Sequence, residues 1–280
     1  MVRSSLPIDD STLARLWAIV VVLVVAGFGL GAGVALVVAL SLLLTGLGLD
    51  PSPLVLLVVS LVSIQGLAFG GVALAYLRLR GRSIGSVGLT LPSVRELLIV
   101  VGGYAAAFVA AISGAIIISI TGAPAGENQV TEFASADPSV LLWLVPASFL
   151  LIGPGEELLF RGIVQGRLRE TFDRIPGVVL ASALFAAIHY VALTGGTGGR
   201  LVTVTVLFFP ALVFGTVYEL TDNLVVPALV HGAYNATLFA LAYLAIRLSE
   251  SSGFPESGPG TGTGTETAAL LVDGFAVLPF

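Results

Sequence analysis

Six residues of this chain have the types and spacing for hydrolytic chemistry, and all six lie in stretches that are otherwise apolar. Glu156, Glu157 and Arg161 fall within Gly153-Pro154-Gly155-Glu156-Glu157-Leu158-Leu159-Phe160-Arg161-Gly162. A charge near a bilayer centre costs on the order of 2.5–3.5 kcal/mol on insertion scales, so adjacent intramembrane glutamates point to a function. On a helix Glu157 and Arg161 are i,i+4 neighbours that can pair, while Glu156 points about 100° away and is left free to act. The plain alternative is a Glu–Arg staple at the membrane edge. The two histidines are His189, in Phe185-Ala-Ala-Ile-His189, and His231, in His231-Gly-Ala-Tyr-Asn235. His231 and Asn235 share a helix face. A lone histidine in an apolar helix is ordinarily a core residue bonded to a carbonyl. Two of them beside a glutamate pair become a site if all lie at one depth.

Glutamate and histidine around a wet cavity can take a proton from water and deliver it to a leaving amine. A His–Asn pair can donate to a developing oxyanion, a contribution of about 2.7–4 kcal/mol per donor. These are the parts of a hydrolase that activates water without a covalent nucleophile. Cysteine is absent, which excludes disulfides, thiolate metal sites and a cysteine nucleophile.

The elements that position these residues are membrane spans. The chain has 280 residues, 56% of them hydrophobic and 10% charged, and its mean hydropathy is +1.05. This composition predicts an all-α polytopic transmembrane bundle. The net charge of −5, with every basic residue an arginine, offers no nucleic-acid patch and suits a prokaryote. Asp9 and Asp10 precede an apolar run too long for a signal peptide, so that run is expected to stay in the mature protein.

About seven spans are expected, within a range of six to eight. Leu16 to Leu49 would measure about 50 Å as one helix against a hydrocarbon core of about 30 Å. No charge or proline marks a turn there, so one long helix is favoured over a hairpin at the Gly27–Gly33 cluster. Further spans are expected at Pro53–Tyr76, Leu97–Ile120, from Ser139 through the glutamate pair, Pro176–Leu193, Leu201–Leu220 and Leu224–Ile246. Arg78, Arg80, Arg82 and Arg95, then Arg161, Arg167, Arg169 and Arg174, make two loops cytoplasmic by the positive-inside rule, with the N-terminus cytoplasmic and Arg200 dissenting. Counting at 1.5 Å per residue puts His231 and the glutamates in the cytoplasmic half and His189 a little past the middle. The expected division is an N-terminal helical region with its arginine loop (1–95), a catalytic transmembrane core (96–248), and a Gly/Ser/Thr-rich linker with a short apolar tail (249–280).

The runs Glu156-Glu157-x-x-x-Arg161, Phe185-x-x-x-His189 and His231-x-x-x-Asn235, in that order over about Ser139 to Ala245, resemble the three motifs of the CPBP (Abi) family of intramembrane proteases. That family includes the type II CAAX prenyl endopeptidase. The resemblance implies that Glu156 activates water with His189 beside it, that Glu157 and Arg161 support it, and that His231 and Asn235 stabilise the oxyanion. It implies a bilayer-bound enzyme of the plasma membrane acting on membrane-associated peptides, lipidated or not. Family members are commonly labelled metalloproteases, and Glu156, His189 and His231 would be the ligands if zinc is present. No H-E-x-x-H run is present, and a Glu–His pair can activate water unaided, so catalysis without a cofactor is the preferred reading. The competing functions are a proton-coupled transporter using a Glu–His relay and a silent immunity or scaffold protein. The absence of an internal repeat counts against the transporter.

Overall fold

A computed structural model describes residues 9–251 of the chain. Helices α1 (Asp10–Gly46), α2 (Pro53–Leu79), α3 (Val94–Thr121), α5 (Val140–Arg169), α6 (Arg174–Ala192), α7 (Thr197–Thr221) and α8 (Val225–Ser251) are long and apolar enough to cross a membrane. Between α3 and α5 lies the short α4 (Val130–Ala136). Among the described residues the only strands are β1 (Glu127–Asn128) and β2 (Leu193–Thr194), an antiparallel pair at one end of the bundle. The protein is a multi-pass integral membrane protein with an all-α bundle fold.

Local chemistry sets where the helices begin. Ser52 caps α2 ahead of Pro53, whose missing N–H costs nothing in a first turn. Ser93 and Glu96 form a reciprocal capping box that starts α3. Helix α1 is one uninterrupted rod, as expected where neither charge nor proline breaks it. Its buried positions Ala18, Val22, Ala26, Gly29 and Gly33 repeat at three and four residues, so one narrow stripe faces the bundle and the rest stays outward. Helices α2 and α5 carry π-helical stretches, at Val62–Gly70 in α2 and at Ser148–Ile152 and Leu158–Gln165 in α5. Pro154 removes a donor from the helical ladder just after the first stretch in α5. The expected linker and tail lie almost wholly outside the described residues; α8 itself runs on to Ser251.

Arginines gather at one end of the bundle. Arg15 donates to the Thr171 carbonyl, Arg80, Arg82 and Arg167 surround Glu170, and Arg169 and Arg174 pair with Glu219. This is the face that the positive-inside rule marks as cytoplasmic. Arg200 lies at the opposite end, where it stacks on the Tyr190 ring at 3.8 Å and donates through Nε to the Tyr190 carbonyl at 3.1 Å. Its departure from the charge rule has a local cause: it ties the start of α7 to the end of α6.

At the arginine-rich end a latch closes the loop before α8. Asp222 ends α7 at φ 48, and Asn223 Nδ2 then donates to Thr90 O and Glu96 Oε1, each at 3.1 Å. Leu224 N donates to Gly88 O at 2.8 Å. Gly88 has φ +75, and a Cβ there would fall on the Asp222 carbonyl. Asp222 and Asn223 thus build the loop. Gly88→Ala combines left-handed strain with a backbone collision, so thermal unfolding in detergent is expected to show a loss of about 1–3 kcal/mol; an unchanged midpoint would mean that the latch carries no stability.

Candidate active site

The site begins with a carboxylate that has no contact with solvent. Glu157 is fully buried, and so is Arg161, whose Nε donates to Glu157 Oε2 at 2.9 Å. The pairing expected for an i,i+4 neighbour survives although the helix turns π-helical at Leu158. The other oxygen, Glu157 Oε1, accepts from His231 Nδ1 at 2.9 Å. The remaining guanidinium nitrogens, Nη1 and Nη2, have no hydrogen-bond partner among the described residues, and the guanidinium carbon lies 5.0 Å from the Phe185 ring centre. A desolvated cation on an aromatic face gains from the ring quadrupole.

His231 is held from every side. Its ring stacks on Phe214 at 4.7 Å and meets the edge of Phe185 at 5.8 Å. Because Nδ1 gives its proton to the Glu157 carboxylate, Nε2 carries the lone pair in the neutral ring, and it accepts from Asn235 Nδ2 at 3.2 Å. The i,i+4 relation read from the sequence is therefore a direct bond.

Glu156 is 5% exposed and faces elsewhere. Its Oε1 accepts from Gln65 Nε2 at 2.7 Å. Its Oε2 has no hydrogen-bond partner among the described residues and lies 3.8 Å from His189 Nε2 and 3.8 Å from His231 Nε2. His189 Nδ1 donates to the Phe185 carbonyl at 2.7 Å, which leaves Nε2 as an acceptor. The two groups that face one another across this gap are both acceptors, so a proton donor belongs between them.

All six residues singled out from the sequence meet here, and Phe185 packs among both imidazoles and Arg161. Two details differ from the expectation. His189 sits just past the α-helical part of α6, on a 3-10 turn His189–Ala192 whose carbonyl at Tyr190 is gripped by Arg200. The unequal depths obtained by counting from helix ends also give way to one cluster, with His189 Nε2 and His231 Nε2 each 3.8 Å from Glu156 Oε2. Sequence reasoning missed Gln65, Phe214 and Arg200. Gln65 carried a signal, being the one amide side chain in its apolar span. Tyr234 is buried against Phe214 as packing, and Glu219 binds arginines at the bundle end.

A catalytic zinc ordinarily takes three protein ligands. His231 Nε2 is occupied by Asn235 and its Nδ1 by Glu157, so only Glu156 Oε2 and His189 Nε2 remain. Among the described residues no cluster of three His, Cys, Asp or Glu side chains is set to hold a metal ion. The donor set as arranged does not fit the three-ligand site.

The fold and site define a multi-pass membrane protein with a buried Glu/His centre. Residues 138–237 match the family described as type II CAAX prenyl endopeptidase Rce1-like, a segment running from the start of α5 into α8 and containing all six residues. This domain, about a third of the chain, supports assignment to the CPBP/CAAX protease family. No curated protein and no solved structure matches it.

Removing one partner of a buried ion pair costs about 3–5 kcal/mol because the other charge is stranded. Arg161→Met is therefore expected to destabilise the protein by about that much in detergent unfolding. Glu157→Gln added to it should recover part of the loss; strict additivity of the two substitutions would deny the coupling.

Proposed function

We propose that the protein is an intramembrane endopeptidase that hydrolyses peptide bonds of membrane-associated, lipidated substrates near the cytoplasmic surface of the plasma membrane. The observation that carries this reading is the pair of facing acceptors, Glu156 Oε2 and His189 Nε2, at 3.8 Å. A water donating one hydrogen to each would be oriented and polarised by both. As its oxygen bonds to the scissile carbonyl carbon, Glu156 takes one proton. The oxyanion is met by the Asn235 amide N–H not spent on His231. His231, held in one tautomer by the Glu157 carboxylate, fixes that amide by accepting its other N–H at Nε2. Collapse of the tetrahedral adduct breaks the C–N bond, and the leaving amine receives the proton held by Glu156. No metal enters these steps.

An apolar cavity of about 420 Å³ supports the substrate class. Leu74, Ile84, Leu89, Pro154, Leu158 and Leu229 help to line it. Pro154 and Leu158 are i,i+4 neighbours on the face of α5 turned away from Glu156, and Ile84 and Leu89 belong to the loop at the arginine-rich end, so the cavity lies on the other side of α5 from the site, toward the surface expected to be cytoplasmic. A lipid chain attached to a peptide would find an apolar wall there.

The test is cleavage of a farnesylated, internally quenched CAAX-type peptide by protein reconstituted in liposomes. Glu156→Gln and His189→Ala are each expected to lower kcat by about 10²- to 10⁴-fold, the usual range for a positioned acid or base. Asn235→Ala is expected to lower it about 10²- to 10³-fold, as for an oxyanion donor. Equal cleavage by wild type, Glu156→Gln and His189→Ala would remove the enzyme reading.

A further inference from the structure

Gln65 lies outside the family-matched segment, 91 positions before Glu156, yet makes the only hydrogen bond found for the Glu156 carboxylate among the described residues. Three observations set it apart from ordinary packing. It stands within the nine-residue π-helical stretch Val62–Gly70 of α2, and π turns, with their wider ladder, recur where a side chain must be re-aimed. The backbone of α2 approaches α5 so closely there that a Cβ on Gly155, the residue before Glu156, would stand 2.5 Å from the Gln65 carbonyl oxygen. The other end of the amide, Oε1, is buried without a hydrogen-bond partner among the described residues.

The hydrogen bond to Glu156 shows what the residue supplies. An apolar side chain of equal size would fill the same space without burying an amide, so what distinguishes glutamine here is the donor it presents. That donor is one N–H on one carboxylate oxygen. With Oε1 of Glu156 held, rotation of the carboxylate is blocked and Oε2 alone is turned to His189 and His231.

We propose, on the endopeptidase reading above, that Gln65 is a positioning residue for Glu156: its Nε2 fixes the carboxylate so that Oε2 stays the proton-accepting atom. Gln65 touches neither the water nor the scissile bond in this role. Its loss should therefore lower the rate of the chemical step and leave substrate binding intact.

The experiment uses the full chain in liposomes with the farnesylated, internally quenched peptide. Gln65→Met, matched in size but without the donor, is expected to lower kcat about 10- to 100-fold, the worth of one hydrogen bond to a charged group. KM should stay within about twofold, because the bond removed is not made to substrate. On a Glu156→Gln background the same substitution should cost nothing further. Gln65→Asn, which keeps the amide but stops it short of Glu156, should behave like Gln65→Met. A kcat within about twofold of wild type, or a rise in KM at unchanged kcat, would overturn the inference. Infrared spectra supply a readout independent of turnover: the carboxylate band that disappears in Glu156→Gln should shift in Gln65→Met, and an unshifted band overturns the contact. Wild-type protein that does not cleave the peptide would count against the endopeptidase reading, and the infrared band would then decide the Gln65 contact alone.

Discussion

The arrangement depends on the burial of the Glu157 carboxylate. A charge with no exposed surface must be met by partners that come to it, and Glu157 recruits two from different parts of the chain: Arg161 on its own helix and His231 on α8. Such a network is a weak source of net stability, since desolvation consumes most of the attraction. What it supplies is orientation. By accepting a hydrogen bond from His231 Nδ1 it leaves the lone pair on Nε2, facing Asn235 and Glu156, and it ties α5 to α8 at the level of the site.

Two neighbouring glutamates thereby acquire different states. Glu157 has both oxygens committed, while Glu156 has one oxygen held by Gln65 and the other unbonded before two imidazoles. The residues differ by one step along a helix, which rotates them about 100° apart and sends them into different surroundings. The aromatic rings of Phe185 and Phe214 pack against the imidazoles, and Phe185 also covers the guanidinium. They keep the charged groups in a low-dielectric setting where each hydrogen bond counts for more.

Much of this was legible from residue type alone, because carboxylates and imidazoles in an apolar sequence are conspicuous and an i,i+4 spacing fixes a shared face. The Glu157–Arg161 and His231–Asn235 pairs, the long single helix α1 and the seven-span bundle were all accessible in that way. The contact from Gln65 was not, since its partner is 91 residues away and α2 departs from α-helical geometry at that point. The role of Arg200 was hidden because charge rules describe topology and carry no information about which carbonyl needs a donor.

The central claim is that Glu156 Oε2 and His189 Nε2 share a water. A high-resolution experimental structure of the protein in lipid tests it most directly. The account predicts one ordered solvent peak within hydrogen-bonding distance of both atoms, with His189 Nδ1 still on the Phe185 carbonyl. A dry gap, or a His189 ring turned so that a nitrogen donates straight to Glu156, would contradict it.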